Sequence, residues 1–101
     1  MTRLRWTIQA AEDLEAIKKF IERDSPTYAR QVAEELYAAA VGISSFPDMG
    51  RVVPERGEGQ IREVQRSPYR IIYRRTAELV EILTIHHSAR PLPATLPGGA
   101  V

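Results

Sequence analysis

With 101 residues, 44% of them hydrophobic and 27% charged, the chain is long enough to bury one hydrophobic core and too short for two. It has no cysteine, which excludes a disulfide framework and a thiolate metal site, and no apolar run approaches the roughly 20 residues of a membrane span. Since no signal-peptide core is visible either, we expect a cytoplasmic protein. The net charge is only +1, but all eight basic residues after Gly50 are arginine, which predicts an anionic partner.

The chain opens with a pattern typical of a short strand. Leu4, Trp6 and Ile8 alternate with polar residues, as in a strand with one buried face. From Gln9 onward the apolar residues fall three or four positions apart, with charged residues between them. This spacing predicts an amphipathic helix that ends near residues 23–24.

A second helix follows directly. Ser25 is a favourable N-cap, and Pro26 suits the first helical position because its missing N–H is not needed there. Residues 46–50 place a proline and a glycine within one short stretch, which ends this helix and turns the chain. The two helices therefore form a hairpin.

The remainder reads as strands separated by turn residues. Alternating or β-branched runs predict strands at residues 61–65, 69–75 and 79–87, and residues 51–53 are a further short candidate. The predicted order is β-α-α-β-β-β, an α+β fold in which an antiparallel sheet packs against the helical hairpin. We expect residues 1–91 to form one domain and residues 92–101, rich in proline and glycine, to form a flexible tail.

Five short motifs in this order are shared with a known family. They are Ala10-x-x-Asp13-Leu14-x-x-Ile17, Phe46-Pro47-x-x-Gly50-Arg51, Arg62-Glu63-Val64, Tyr69-Arg70-Ile71-Ile72-Tyr73 and Ile85-x-His87-x-x-Arg90. With this order of elements, the chain from Arg3 to Arg90 resembles the RelE/ParE toxin superfamily, the toxin halves of type II toxin-antitoxin modules.

The resemblance implies one of two activities. ParE-type members inhibit DNA gyrase without established catalytic residues of their own and act in plasmid stabilization. RelE- and YoeB-type members are ribosome-dependent mRNA endonucleases, whose chemistry needs a base, a cation at the phosphate and an acid. The Gly50-Arg51 turn, the Arg62-Glu63 pair and the His-x-x-Arg ending are more similar to ParE-type members, so we expect a gyrase inhibitor, with the nuclease as the alternative.

A nuclease would use a specific set of residues. The resemblance implies Glu55 as the base, Arg70 as the phosphate clamp and His86 or His87 as the acid. The set is incomplete by family standards, because the only two lysines lie on the first helix and His87 is followed by serine rather than tyrosine. Glu55 lies in a polar loop, where a solvated carboxylate is the plainer interpretation.

The two histidines are expected to differ in exposure. Successive strand residues point to opposite faces, so one histidine faces the helices and the other is available. The alternation from Leu83 and Ile85 places His87 with them and leaves His86 with Ile82 and Thr84, but which of the two histidines is exposed stays open at this point. Adjacent histidines alone do not make a metal site, and we expect neither metal nor cofactor.

For the gyrase inhibitor, the resemblance and the arginine pattern together predict a contact surface on one side of the sheet. Its expected members, which would bind the target or the antitoxin, are Arg51, Arg62, Arg70, Arg74 and Arg90. The implied partners are a cognate acidic antitoxin and DNA gyrase, or the ribosome and mRNA for a nuclease. The antitoxin would add a strand beside the first strand or near Val52. A homodimer, a heterotetramer with the antitoxin and a non-toxic arginine-rich adaptor remain alternatives.

Overall fold

The computed structural model describes residues 2–54, 60–93 and 96, and it has the α+β order predicted, including the additional short strand. The elements are β1 (Arg3–Trp6), α1 (Ile8–Glu22), α2 (Pro26–Ser45), β2 (Arg51–Val52), β3 (Ile61–Arg66), β4 (Tyr69–Arg75) and β5 (Leu79–His87). No helix in the described part of the chain is long and apolar enough to span a membrane.

Both helices begin at side-chain caps. The Ser25 hydroxyl accepts the Tyr28 N–H at 3.2 Å and Pro26 is the first helical residue, so the predicted start of α2 is confirmed. The Thr7 hydroxyl accepts the Ala10 N–H at 3.0 Å, and α1 therefore begins at Ile8, a residue that the alternation had assigned to the first strand. The cap decides this boundary, because it satisfies an N–H of the first helical turn.

The sheet is mixed rather than wholly antiparallel. Its strand order is β1-β5-β4-β3-β2, and every pair is antiparallel except β1 with β5, which run parallel. The short turns after β3 and β4 force antiparallel pairing of the strands they join, whereas β1 is connected to the rest of the sheet through two helices, so no turn fixes its direction. Within the described residues, β1 and β2 are the two edges, as predicted for the strands that could accept a further strand.

The helix α1 covers part of the β5 edge that β1 leaves open. β1 pairs with β5 only as far as Ile82. Beyond that point the Thr7 hydroxyl lies 2.9 Å from the carbonyl oxygens of both Ile82 and Leu83. The Asp13 carboxylate accepts the Ile85 N–H at 3.1 Å and the Thr84 hydroxyl. The side chains of Thr7 and Asp13 thus make the hydrogen bonds to β5 that a neighbouring strand would otherwise make.

The sheet separates two hydrophobic clusters. The larger cluster lies against the helices and contains Ile71, Tyr73, Ile82 and Ile85; the smaller lies on the opposite face and contains Val53, Ile61, Ile72 and Leu83. A register shift between Ile72 and Tyr73 pairs Tyr73 with Ile82 and omits Leu83. Leu83 consequently leaves the face of Ile85, contrary to simple alternation.

The structure describes only part of the predicted C-terminal tail. Of residues 92–101 the structure describes 92, 93 and 96, and Leu92 and Leu96 pack against the smaller cluster. The flexibility of residues 92–101 stays a prediction.

Candidate functional site

Three of the predicted contact arginines lie on the sheet face away from the helices, here called the outer face. Arg70 and Arg74 alternate on β4 with Ile72, which belongs to the smaller cluster. Arg51 pairs across strands with Glu63, and Glu63 pairs with Ile72. Because paired residues share a face, Arg51, Arg70 and Arg74 share the outer face, as expected.

Glu63 organises two of these arginines. Its Oε2 lies 2.6 Å from Arg51 Nε, and its Oε1 accepts a hydrogen bond from Arg70 Nε at 2.7 Å. The side chains of Glu63 and Arg70 are 0% and 8% exposed, whereas that of Arg51 is 62% exposed. A buried carboxylate requires a paired cation, and here it has two. Arg70 is held inside the face while Arg51 reaches out from it.

Glu81 makes a second, looser arrangement of the same kind. It lies across strands between Arg5 and Arg74, with its carboxylate 3.5 Å from Arg5 Nε and 4.0 Å from Arg74 Nη1. The Glu81 side chain is 7% exposed, against 47% for Arg5 and 26% for Arg74. Sequence reasoning missed Arg5 as a member of this face, although its position between Leu4 and Trp6 already indicated an outward side chain.

Arg62 does not belong to the outer face, and the prediction of one shared surface is wrong for this residue. It pairs across strands with Tyr73, which faces the helices, because successive residues of β3 point to opposite sides. Its Nη1 donates to the Gly50 carbonyl at 2.8 Å, and its Nε lies 3.9 Å from Asp48. Arg75 Nε also approaches the Asp48 carboxylate, at 2.7 Å.

The turn after α2 is fixed by Tyr73. Its hydroxyl donates to the Pro47 carbonyl at 2.7 Å and accepts the Gly50 N–H at 3.0 Å. Burial raises the pKa of the Tyr73 phenol above its ordinary value, against smaller lowering contributions from the Gly50 hydrogen bond and nearby arginines. Since Arg51 follows Gly50 directly, this turn sets where Arg51 enters the sheet.

The residues of the nuclease alternative are only partly brought together. Glu55 lies outside the described residues. Arg70 and His86 are cross-strand partners and so share the outer face. His87 pairs with Tyr69, which packs against the larger cluster, and the two rings meet edge to face at 5.6 Å. His87 therefore lies on the helical side and His86 on the outer face, a choice that the sequence left open.

Arg90 lies outside the sheet, in an exposed turn after β5. Its N–H donates to the His87 carbonyl at 3.0 Å. The His86 Nε2 lies 3.1 Å from the carbonyl oxygens of both Arg90 and Pro91, so the ring is engaged with the chain that follows it. Within the described residues, no three His, Asp or Glu side chains are grouped closely enough to hold a metal ion.

The helical side presents apolar residues and a groove. Ile8, Phe20, Tyr28 and Tyr37 are each more than half exposed. The groove, of about 290 Å³, lies between α2 and the turn joining β3 to β4, and it is lined in part by Tyr28, Glu35, Arg66 and Tyr69. Of the four exposed residues, Tyr28 lines this groove, and an exposed aromatic side chain at a groove is typical of a protein-binding surface.

Comparisons with known proteins agree on one family. The family model described as "ParE toxin of type II toxin-antitoxin system, parDE" matches residues 4–92. The putative toxin Y4kP of Sinorhizobium fredii is 32% identical over 99 residues, covering 93% of this chain and 96% of that protein. Toxin RelE2 of Caulobacter vibrioides is 36% identical over 91 residues, covering 89% and 99%.

Two solved structures share the fold. A chromosomal ParDE toxin-antitoxin system from P. aeruginosa aligns with a TM-score of 0.70 at 23% identity, covering 86% of this chain and 96% of that one. The RelBE2 toxin-antitoxin complex of Mycobacterium tuberculosis aligns with a TM-score of 0.54 at 24% identity, covering 85% and 96%. At these identities the likeness establishes the α+β architecture alone.

Proposed function

This chain belongs to the ParE toxin family of type II toxin-antitoxin systems, and we propose that it acts as a ParE-like toxin that inhibits DNA gyrase. It is the toxin component of its module. In this proposal it arrests growth by binding the target, without chemistry of its own, until a cognate antitoxin neutralises it.

The pairing of Arg70 with Glu63 carries the choice of a binder over a nuclease. Cleavage of a phosphodiester requires a cation that can reach the phosphate and stabilise the charge that develops on it. The Arg70 guanidinium is almost fully buried, and both its Nε and its Nη2 contact one carboxylate oxygen of Glu63. A phosphate at Arg70 would have to displace a buried anion, which opposes a role as clamp.

The exposed part of the outer face suits a binding role. Arg51 and Arg5 keep much of their surface in solvent while a buried glutamate holds one end of each guanidinium. Arginines fixed in this way lose little side-chain entropy on contact with an acidic surface. We infer that Arg51, Arg74 and Arg5 contact acidic groups of the target.

The antitoxin has a separate place on the molecule in this proposal. The groove beside α2 offers Tyr28 and Tyr69 as apolar walls and Arg66 as a cation. An acidic segment with apolar anchors fits that chemistry, and β1 or β2 can accept an added strand at the sheet edge. A segment that also pairs with β2 would lie beside Arg51 and block the outer face, which accounts for neutralisation in this proposal.

The test is to purify the toxin without antitoxin and assay it in parallel against gyrase and translating ribosomes. We expect loss of supercoiling activity and intact mRNA. Cleavage of ribosome-bound mRNA that disappears in an Arg70→Ala variant would instead establish the nuclease.

The mRNA endonuclease is the second candidate. It is favoured by the cross-strand pairing of Arg70 with His86 and by the name of the relative RelE2. For this candidate, His86→Ala should abolish cleavage while His87→Ala, on the helical side, should preserve most of it.

A further inference from the structure

The strand β1 has backbone groups that point away from the sheet. The N–H groups of Arg3 and Thr7 donate to carbonyl oxygens on the β5 side, at 3.0 and 3.1 Å. Because bonding alternates along a strand, the N–H and C=O groups of Leu4 and Trp6 point to the opposite side. Among the strands of the described residues, none lies on that side of β1. An extended segment can therefore pair with β1 there.

The two faces beside this edge differ in chemistry. Arg3 and Arg5 are exposed on the outer face. On the helical side, Leu4 and Trp6 pack against the larger cluster. The ring of Tyr37, on α2, stacks on Trp6 with the ring centroids 5.9 Å apart, and Tyr37 is still 54% exposed. A segment paired with β1 would thus meet cations on one face and an apolar surface on the other.

Arg3 is the arginine of β1 that an incoming carboxylate would benefit most. Arg5 already lies 3.5 Å from the carboxylate of Glu81. Arg3 makes no ion pair within the described part of the chain. A carboxylate opposite Arg3 would therefore add a cross-strand charge pair that the toxin does not itself supply.

A second copy of the chain suits this edge poorly. In an antiparallel pairing of two β1 strands, Leu4 would face either Leu4 or Trp6 of the second copy. The first register sets Arg5 opposite Arg3, and the second sets Arg5 opposite Arg5. Like charges directly opposite each other destabilise a strand pair. The charges of β1 thus disfavour a homodimer and favour an acidic strand.

The opposite edge of the sheet offers less to an added strand. The edge strand β2 consists of Arg51 and Val52 alone, whereas β1 has four residues. A longer edge provides more backbone hydrogen bonds and more side-chain positions at which a partner can be recognised.

We propose that β1 is a docking edge for an extended segment of the antitoxin in which acidic and apolar residues alternate. The acidic side chains lie opposite Arg3 and Arg5, and the apolar side chains lie opposite Leu4 and Trp6. A one-residue slip would set the carboxylates against the apolar side, so the alternation also fixes the register. The proposal rests on the proposed function in one respect, that an antitoxin neutralises this chain. Because Arg5 is also an inferred target contact, the docked segment competes with the target for it.

Amide hydrogen exchange of the free toxin and of its complex with the antitoxin tests the docking edge. In the free toxin, the amides of Leu4 and Trp6 should exchange faster than that of Thr7, which is bonded within the fold. In the complex, exchange at Leu4 and Trp6 should slow by about tenfold or more. Unchanged exchange in the complex overturns the proposal. So does slow exchange of both amides in the free toxin, whether at every concentration or only at high concentration, where a second copy would be the occupant.

Charge reversal tests the acidic face of the segment. Arg3→Glu should weaken antitoxin binding about fivefold, because it replaces an attractive cross-strand pair by a repulsive one. Lys19→Glu makes the same change of charge at an exposed position of α1 and should leave the affinity unchanged. Titration calorimetry with both variants measures the difference. Equal affinities of the two folded variants contradict the proposal.

A pair of peptides tests the alternation itself. The probe is a blocked peptide of alternating glutamate and valine, and its control has lysine in place of each glutamate. The glutamate peptide should shift the amide signals of Leu4 and Trp6 in the NMR spectrum and bind about fivefold more tightly than the lysine peptide. This preference should decrease in Arg3→Glu and persist in Lys19→Glu. Equal binding of the two peptides, or no shift with either, contradicts the alternation.

The two proposals fail separately. If the amides of Leu4 and Trp6 are protected in the complex but the toxin does not inhibit gyrase, the gyrase assignment fails and the docking edge stands. If the toxin inhibits gyrase but these amides stay unprotected in the complex, the docking edge fails and the gyrase assignment stands.

Discussion

Arg70 and Glu63 form an ion pair that is almost completely buried in the outer face of the sheet, two strands away from either edge for Arg70. The arginine that family resemblance would place at a scissile phosphate is thus already neutralised within the protein. The same glutamate also holds Arg51, which reaches into solvent. The carboxylate converts one arginine into a structural residue and the other into an oriented contact residue.

Removing that carboxylate should destabilise the fold strongly. Glu63→Ala removes this carboxylate from a buried guanidinium, a change that costs about 3–5 kcal/mol. Glu81→Ala is the matched control, because its longer contacts to more exposed arginines predict a loss of about 1 kcal/mol or less. Urea denaturation of both variants measures the difference. Equal losses of unfolding free energy in the two variants would show that burial of the Glu63 ion pair does not increase the cost of its removal.

Gly50 should tolerate no side chain. A Cβ there would lie 2.6 Å from the Glu63 carbonyl oxygen and 2.7 Å from the Tyr73 hydroxyl, so the backbone must move. We expect Gly50→Ala to lower the free energy of unfolding by about 1–3 kcal/mol. Gly42→Ala is the control: nothing lies within 4 Å of its Cβ and the residue is inside α2, so stability should rise by up to about 1 kcal/mol. A Gly50→Ala variant with the same free energy of unfolding as the wild type would contradict the close approach of Glu63 and Tyr73 to Gly50.

The Tyr73 hydroxyl should make stability depend on alkaline pH. Burial raises its pKa in the folded protein, so the unfolded chain loses this proton first, near its ordinary value of about 10. The contribution of the protonated Tyr73 phenol to the free energy of unfolding is fully present below about pH 10 and is lost as the pH rises through the pKa of the folded protein. Denaturation at several pH values should show a shallower alkaline decline for Tyr73→Phe than for the wild type.

At neutral pH the same variant should itself be less stable. Tyr73→Phe leaves the Gly50 N–H without its acceptor and the Pro47 carbonyl without its donor, at a cost of about 1–3 kcal/mol. Tyr37→Phe, at an exposed position on α2, serves as control and should have little effect on either measurement.

Arginines on the outer face and on the helical side should differ in their effect on target affinity. Arg51→Ala removes an exposed side chain and should cost less than about 1 kcal/mol of stability. Its effect on target affinity should exceed about fivefold if it is a contact of the usual interface kind. Arg62→Ala, on the helical side, should leave target affinity nearly unchanged. Titration of gyrase inhibition by both variants checks this, and the reverse order would move the target site to the helical side.

Local features of the fold were predictable because neighbouring residues determine them. Ser25 and Pro26 fix the start of α2 through the chain beside them, and strand alternation places Arg70 and Arg74 on one face of β4, as expected. The two ion-pair partners of Glu63 were not predictable, because Arg51 and Arg70 contact it from two other strands.

Features that depend on distant parts of the chain could not be predicted from the sequence. The role of Asp13 as an acceptor for β5 needs contacts over about 70 residues. The displacement of Leu83 follows from a register shift that simple alternation does not contain. The packing of Leu92 and Leu96 likewise depends on the smaller cluster, whose members come from four separate segments.

The most direct test of the account is a supercoiling assay with purified DNA gyrase, titrated with the toxin and then with its antitoxin. The account predicts inhibition that rises with toxin concentration, weakens in Arg51→Ala and is reversed by antitoxin. Full supercoiling activity at toxin concentrations that arrest growth would contradict it.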